Sequence, residues 1–222
     1  MIRRYRLTLP VELEARPLPQ FVDASRFWVV LIGIDQYAHY PLRGCVSDAL
    51  LMQKYFIEDL RVPWDRIQLL LGSREHISCD DPMNPSRIHI IHALLGIITN
   101  PDVEYGDNII IYFSGHGSYY QCPEFDDDES GEPGYVEALC PIDRDTPDDN
   151  GKPIPDISDH EFNAILTQIF RAKGHRITVI LDCCHSASVS RDLPEPEARV
   201  TPVTKRATLE DMLLAGESYT LR

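Results

Sequence analysis

The chain has 222 residues, with 35 Asp or Glu against 21 Lys or Arg and a formal charge of −14. That sign argues against a nucleic-acid partner, whose electrostatic footprint should be basic, and 43% hydrophobic with 25% charged residues excludes a disordered chain. The longest apolar runs, Phe27 to Ile32 and Ile109 to Phe113, fall far short of the roughly 20 residues of a membrane span. The basic start, Met1 to Arg6, has no apolar block behind it to make a signal peptide. We therefore expect a cytoplasmic protein without a membrane or nucleic-acid partner. Its six cysteines show no repeated CxxC spacing and read as thiols, mostly inert.

Residues 1–26 carry Pro10, Pro17 and Pro19 without a hydrophobic period and read as an arm. Phe27 to Asp35 is a β-rich apolar run ending in polar residues, suited to a strand buried on both faces. Behind Gly44, Val46, Ala49, Met52 and Phe56 recur at helical spacing until Pro63 stops the helix. Ile67 to Leu71 reads as a second strand. Asn84-Pro85 then supplies an N-cap and a first-turn residue for a helix with Ile88, Ile91, Leu95 and Ile98 on one face. Asn108 to Phe113 is a third strand, followed by a long acidic loop. Ser158 and Glu161 form a capping box before a helix that buries Phe162, Ile165, Leu166 and Ile169, and Arg176 to Leu181 is the next strand. The alternation predicts an α/β three-layer sandwich over residues 27–190, a mostly parallel sheet with helices on both faces and ligands at the strand C-termini. Residues 191–222 read as a proline-rich linker and a C-terminal segment with one short helix, Ala207 to Ala215.

Two loops at those strand ends carry reactive side chains: Ser114-Gly115-His116-Gly117 and Asp182-Cys183-Cys184-His185-Ser186. A nucleophilic cysteine needs a partner that helps form the thiolate and later protonates a leaving amine, and histidine suits both tasks. His116 and Cys184 fill these roles. The glycines beside His116 free the backbone for unusual dihedrals and close approach, which makes the Gly117 amide a candidate oxyanion donor beside that of Cys184. Each residue also has a plainer reading, since a cysteine at a strand end is usually core and a histidine between glycines can be a turn residue.

Tyr112-Phe113-Ser114-Gly115-His116-Gly117-Ser118 and Leu181-Asp182-Cys183-Cys184-His185-Ser186 resemble the His and Cys motifs of the caspase-like cysteine peptidases, specifically the metacaspases (peptidase C14). Leu42-Arg43-Gly44-Cys45-Val46-Ser47-Asp48-Ala49 is similar to a third metacaspase block, and the stretch from Asp127 through Glu137 to Asp143 to a fourth. The resemblance implies a caspase-like domain with Cys184 as nucleophile and His116 as general base and acid. It implies protein or peptide substrates cut after Arg or Lys, and it lines the S1 pocket with Asp48 and Asp182, with Ser114 as a polar contact. A cationic side chain at the cut suits such carboxylates, whereas an aspartate would be repelled by them. Read without the resemblance, Asp48 is a solvated helix-turn residue and Asp182 caps its strand. Cys183 and Cys184 compete for the role of nucleophile. Alternation lets only one of them face the cleft, and the His-Ser that follows favours Cys184.

The family also implies Ca2+ as an activator, although the Cys–His chemistry needs no cofactor. Asp126, Asp128, Ser130 and Glu137 have the oxygen spacing of a calcium loop, yet no helix pair brackets them and Pro133 disrupts the pattern. The segment is then a solvated acidic loop or a different calcium site. Asp159-His160-Glu161 resembles the family's Asp-Asp-Glu calcium block with His in the middle. Caspase-like domains continue past the nucleophile into a small-subunit region of further strands, much of which this sequence lacks, so we expect a sheet edge open to self-association or to a partner. Arg191, Arg199, Lys205 and Arg206 lie where an Arg/Lys-specific peptidase would cut itself. Three readings stand: an active endopeptidase, a catalytically weak caspase-fold adaptor acting through protein association, and an unrelated α/β hydrolase or binding module. Programmed cell death and stress turnover are both roles the family implies.

Overall fold

The computed structural model describes residues 23–78, 80–122, 134–183 and 207–220. The arm 1–22, the acidic loop with Asp126, Asp128 and Ser130, and the segment 184–206 with Cys184 and the expected self-cleavage positions lie outside the described residues. Along the chain run β1 (Phe27–Ile34), α1 (Cys45–Lys54), β2 (Ile67–Gly72), α2 (Arg87–Thr99), β3 (Asn108–Ser114), β4 (Gly117–Gln121), β5 (Tyr135–Leu139), β6 (Ile157–Ser158), α3 (Asp159–Lys173), β7 (Ile177–Asp182) and α4 (Leu209–Thr220).

β1, β2, β3 and β7 form a parallel sheet in the order β2-β1-β3-β7. Successive residues of a strand point to opposite faces, and β1 obeys this with apolar residues on both. Val30, Ile32 and Ile34 pack with Ile90 and Leu94 of α2 and with Phe162, Ile165 and Ile169 of α3. Val29 and Leu31 pack on the other side with Ala49 of α1 and Phe56 just beyond it. The three layers expected from the alternating pattern are thus present. The order reverses between β1 and β3, and such a switch opens a crevice beyond the strand C-termini. Gly33 lets α1 start against that end of β1, since a Cβ there would stand 2.5 Å from the Cys45 carbonyl oxygen.

Two local expectations need correction. The N-cap of α2 is Ser86, whose Oγ accepts from the His89 N–H at 3.4 Å. Asn84 is buried instead, and its amide donates to the His76 and Ile77 carbonyls at 2.7 and 3.2 Å. Satisfying two loop carbonyls takes that side chain away from capping. The buried stripe of α2 is Ile90, Ile91, Leu94 and Ile97, whereas Ile88 is exposed. This helix is apolar almost all round, so spacing alone left its rotation open. Ser158 does cap α3, accepting from the Glu161 N–H at 3.1 Å. The Glu161 side chain turns to Arg87 instead of closing a capping box.

A second, antiparallel sheet, β4-β5-β6, was not legible in the sequence. Its first strand begins one residue after His116, and α4 packs Met212 against Tyr120, Val136 and Ala138 from it. α4 runs past Ala215, the expected end of the C-terminal helix, to Thr220. Among the described residues no helix is long and apolar enough to cross a membrane.

Candidate active site

The strand register sets the strand ends that lead into the two motifs side by side. Gly33 of β1 is level with Ser114 of β3, and Ser114 with Asp182 of β7. Ser114 is fully buried, and its hydroxyl donates to Asp182 Oδ2 at 3.1 Å. Asp182 is itself exposed and closes its strand. Asp48 lies at the same end of the sheet, half-buried in the first turn of α1. Asp35, read from the sequence only as the end of its strand, accepts from the Cys45 N–H at 2.9 Å and satisfies an otherwise orphaned donor at the start of α1.

His116 is only 3% exposed. Its Nε2 lies 2.7 Å from the Tyr40 carbonyl oxygen. A carbonyl only accepts, so Nε2 carries the proton and Nδ1 is the basic nitrogen of the neutral ring. Tyr40 holds a left-handed backbone conformation, φ +57°, which is strained for a residue with a bulky side chain and aims that carbonyl at the imidazole. The chain beyond His116 enters β4, and Cys140 at the end of β5 donates its N–H to the His116 carbonyl at 3.1 Å.

Of the two uses expected of the glycines beside His116, unusual dihedrals and close approach to a substrate, the first is not seen. Neither Gly115 nor Gly117 lies in the left-handed region. A Cβ on residue 115 would stand 2.6 Å from the Tyr37 hydroxyl and 3.1 Å from the Phe113 ring, so Gly115 is required by close approach. Gly117 opposes Leu139 in the β4–β5 ladder. Because the neighbouring His116–Cys140 pair holds the ladder bond, alternation makes Gly117–Leu139 a non-hydrogen-bonded pair, and the Gly117 N–H points away from β5.

A buried polar cluster stands behind this loop. Asp156 is fully buried, and its Oδ2 accepts from the Ser118 and Tyr120 hydroxyls at 2.7 Å each. Arg144 donates from Nε to Oδ1 at 2.8 Å and from Nη2 to Oδ2 at 2.6 Å. The Cys140 thiol is 3.7 Å from the same carboxylate, and burial, reinforced by Asp156, pushes it well above the usual thiol range. Both effects disfavour its thiolate, the reactive form. Cys183 packs against the main core cluster.

Glu161 does not fit a calcium ligand. It is fully buried, and both carboxylate oxygens accept from Arg87 Nη2 at 2.7 Å. Burial pushes its carboxyl up to about 7 against the pull of Arg87. Asp159 of the same segment is half-buried and His160 is exposed. Among the described residues no group of three or more His, Cys, Asp or Glu side chains is arranged to hold a metal ion.

Residues 29–194 match the metacaspase, peptidase C14 domain model. Metacaspase-1B of Neurospora crassa is 30% identical over 172 residues, covering 77% of this chain and 36% of the relative. Metacaspase-3 of Arabidopsis thaliana is 32% identical over 183 residues, covering 80% of this chain and 44% of the relative. The chain thus spans less than half the length of these relatives. The crystal structure of protein GSU0716 from Geobacter sulfurreducens superposes with a TM-score of 0.50 at 21% identity, over 72% of this chain and 51% of that one, a likeness of fold. The domain match, the agreement of relatives from fungi and plants, and the parallel sheet with its two motif loops lead to one conclusion: the chain belongs to the metacaspases, the peptidase C14 family.

Proposed function

We propose that this protein is a cysteine endopeptidase that cleaves peptide bonds after Arg or Lys, with Cys184 as nucleophile and His116 as general base and acid. The observation that carries the reading is the buried His116 at the end of β3, its Nε2 tied to the Tyr40 carbonyl so that Nδ1 is the basic nitrogen. Support also comes from β7, which lies in register beside β3 and leads into the Cys184 motif. Cys183, packed against the core, leaves the motif register to Cys184.

In this reading His116 Nδ1 takes the Cys184 thiol proton, and the sulfur attacks the scissile carbonyl carbon. The oxyanion is met by the Gly117 and Cys184 amides. The C–N bond breaks as imidazolium protonates the leaving amine, and water, deprotonated by His116, then hydrolyses the thioester. Asp182, held by Ser114, and Asp48 supply negative charge for a guanidinium or ammonium at the cut. Calcium enters only as an activator.

The test incubates the full chain with fluorogenic Arg, Lys and Asp peptides, with calcium or chelator, beside Cys184→Ala and His116→Ala. Arg and Lys peptides should be cut and the Asp peptide spared, with both variants at background. Cleavage surviving in Cys184→Ala, or silence from a folded protein, overturns the reading; silence makes a binding role through the same fold the better one. Activity indifferent to chelator and to added calcium removes the activator.

A further inference from the structure

The ladder between β4 and β5 is interrupted at the catalytic histidine. Gly117 opposes Leu139, so the next pair is His116 with Cys140, and one of its bonds is present, Cys140 N–H to His116 carbonyl at 3.1 Å. In a regular antiparallel ladder such a pair exchanges two bonds. The return bond is replaced by a side chain. The His116 N–H donates to the Tyr37 hydroxyl at 3.0 Å, and that hydroxyl donates to the Cys140 carbonyl at 2.9 Å.

Tyr37 is well placed for this insertion. It is 5% exposed, and its ring centroid lies 4.6 Å from that of His116, tilted by 49°. Gly115 leaves the space the hydroxyl occupies, since a Cβ there would be 2.6 Å from it. Burial pushes the phenol well above its ordinary range, so it stays protonated and able to donate. Without the wedge, the ladder would close directly onto His116 and draw its main chain toward Cys140. With it, the chain can part from β5 and join β3 of the parallel sheet. The same short loop carries Tyr40, whose carbonyl holds the ring, so Tyr37 fixes the main chain of His116 while Tyr40 fixes its imidazole.

We propose that Tyr37 is a positioning residue of the peptidase: its hydroxyl, inserted between the His116 N–H and the Cys140 carbonyl, sets where the imidazole stands relative to the nucleophile. The inference rests on the peptidase reading above. It assigns Tyr37 no contact with substrate.

The test is Tyr37→Phe in the full chain, which keeps the ring and removes the hydroxyl. With an Arg peptide, kcat should fall about 10- to 100-fold, the size of effect that small displacements of a catalytic group produce. KM should stay within about twofold, because substrate binding is untouched. In protein labelled with 15N-histidine, the His116 ring shifts should move away from the Nε2-protonated pattern of wild type. Wild-type kcat together with unchanged ring shifts in folded Tyr37→Phe overturns the proposal, even if the variant melts earlier. Should Tyr37→Phe fail to fold, the wild-type protein decides. The Tyr37 hydroxyl proton should exchange slowly and show a nuclear Overhauser contact to the His116 amide, and a fast-exchanging hydroxyl without that contact overturns the proposal. A wild-type chain that cuts nothing refutes the peptidase reading and with it a catalytic role for Tyr37. A wild type that cuts, beside an unaffected variant, refutes the positioning role alone.

Discussion

Replacing Asp156 by asparagine keeps the side-chain shape and removes one charge from a fully buried site. The carboxylate is 0% exposed, and Arg144, itself only 14% exposed, is its ion-pair partner at 2.6 Å. Desolvation of the guanidinium is offset by Asp156, which holds its proton more tightly than in water. In Asp156→Asn the cation stays buried without a counter-charge, a situation that costs roughly 3–5 kcal/mol. The new amide NH2 also competes at a place where Ser118, Tyr120 and Arg144 all donate to Oδ2. At about 2–4 °C per kcal/mol for a chain of this size, Tm should fall by roughly 6–20 °C. Urea unfolding should show a lower midpoint at an unchanged m value. Removing the second charge as well, in Asp156→Asn with Arg144→Met, should restore part of the loss, since no lone charge then remains buried. A single variant that loses less than about 1 kcal/mol, or a double variant that loses the sum of the two singles, would refute the reasoning.

Glu161 predicts a pH dependence of stability. Its carboxyl is raised from 4.5 to about 7 in the folded protein, so the folded state binds this proton more tightly than the unfolded chain. Its contribution is full below about pH 4.5 and is lost as pH rises through 7, on the order of 3 kcal/mol at most. Denaturation midpoints measured across that window should decline less steeply in Glu161→Gln, and equal slopes in the two proteins would sink the idea. Gly33→Ala forces a methyl to 2.5 Å from the Cys45 carbonyl and should destabilise by about 1–3 kcal/mol. Gly96→Ala in α2, where nothing lies within 4 Å, should instead stabilise by about 1 kcal/mol; opposite signs in thermal melts check the pair. Native Cys45 and Cys140, both fully buried, should resist iodoacetamide until urea is added, and rapid native labelling of either would contradict their packing.

The sheet was largely legible in the sequence because buried parallel strands must be apolar on both faces: Phe27–Ile34, Ile67–Gly72 and Asn108–Ser114 are short β-rich runs closed by polar residues or glycine. The capping Ser158 was legible for a similar reason, as a local hydrogen bond leaves a local signature. That Ser114 and Asp182 would close neighbouring strands was legible from the alternation of strands and helices, whereas the roles given to them, to His116 and to Cys184 come from the resemblance to a family motif. The rotation of α2 was not legible, because an almost uniformly apolar helix carries no phase. β4 and β5 were not, because their partnership spans the acidic loop and is decided by Met212 of α4 and the Asp156 cluster. The sequence determined which residues carry reactive groups and which segments must be buried, since both follow from side-chain chemistry and local periodicity. Only the tertiary structure decided that Tyr37 and Tyr40 hold His116, because those bonds use a hydroxyl inserted between two main-chain groups and a strained carbonyl, and neither depends on any local pattern of residues.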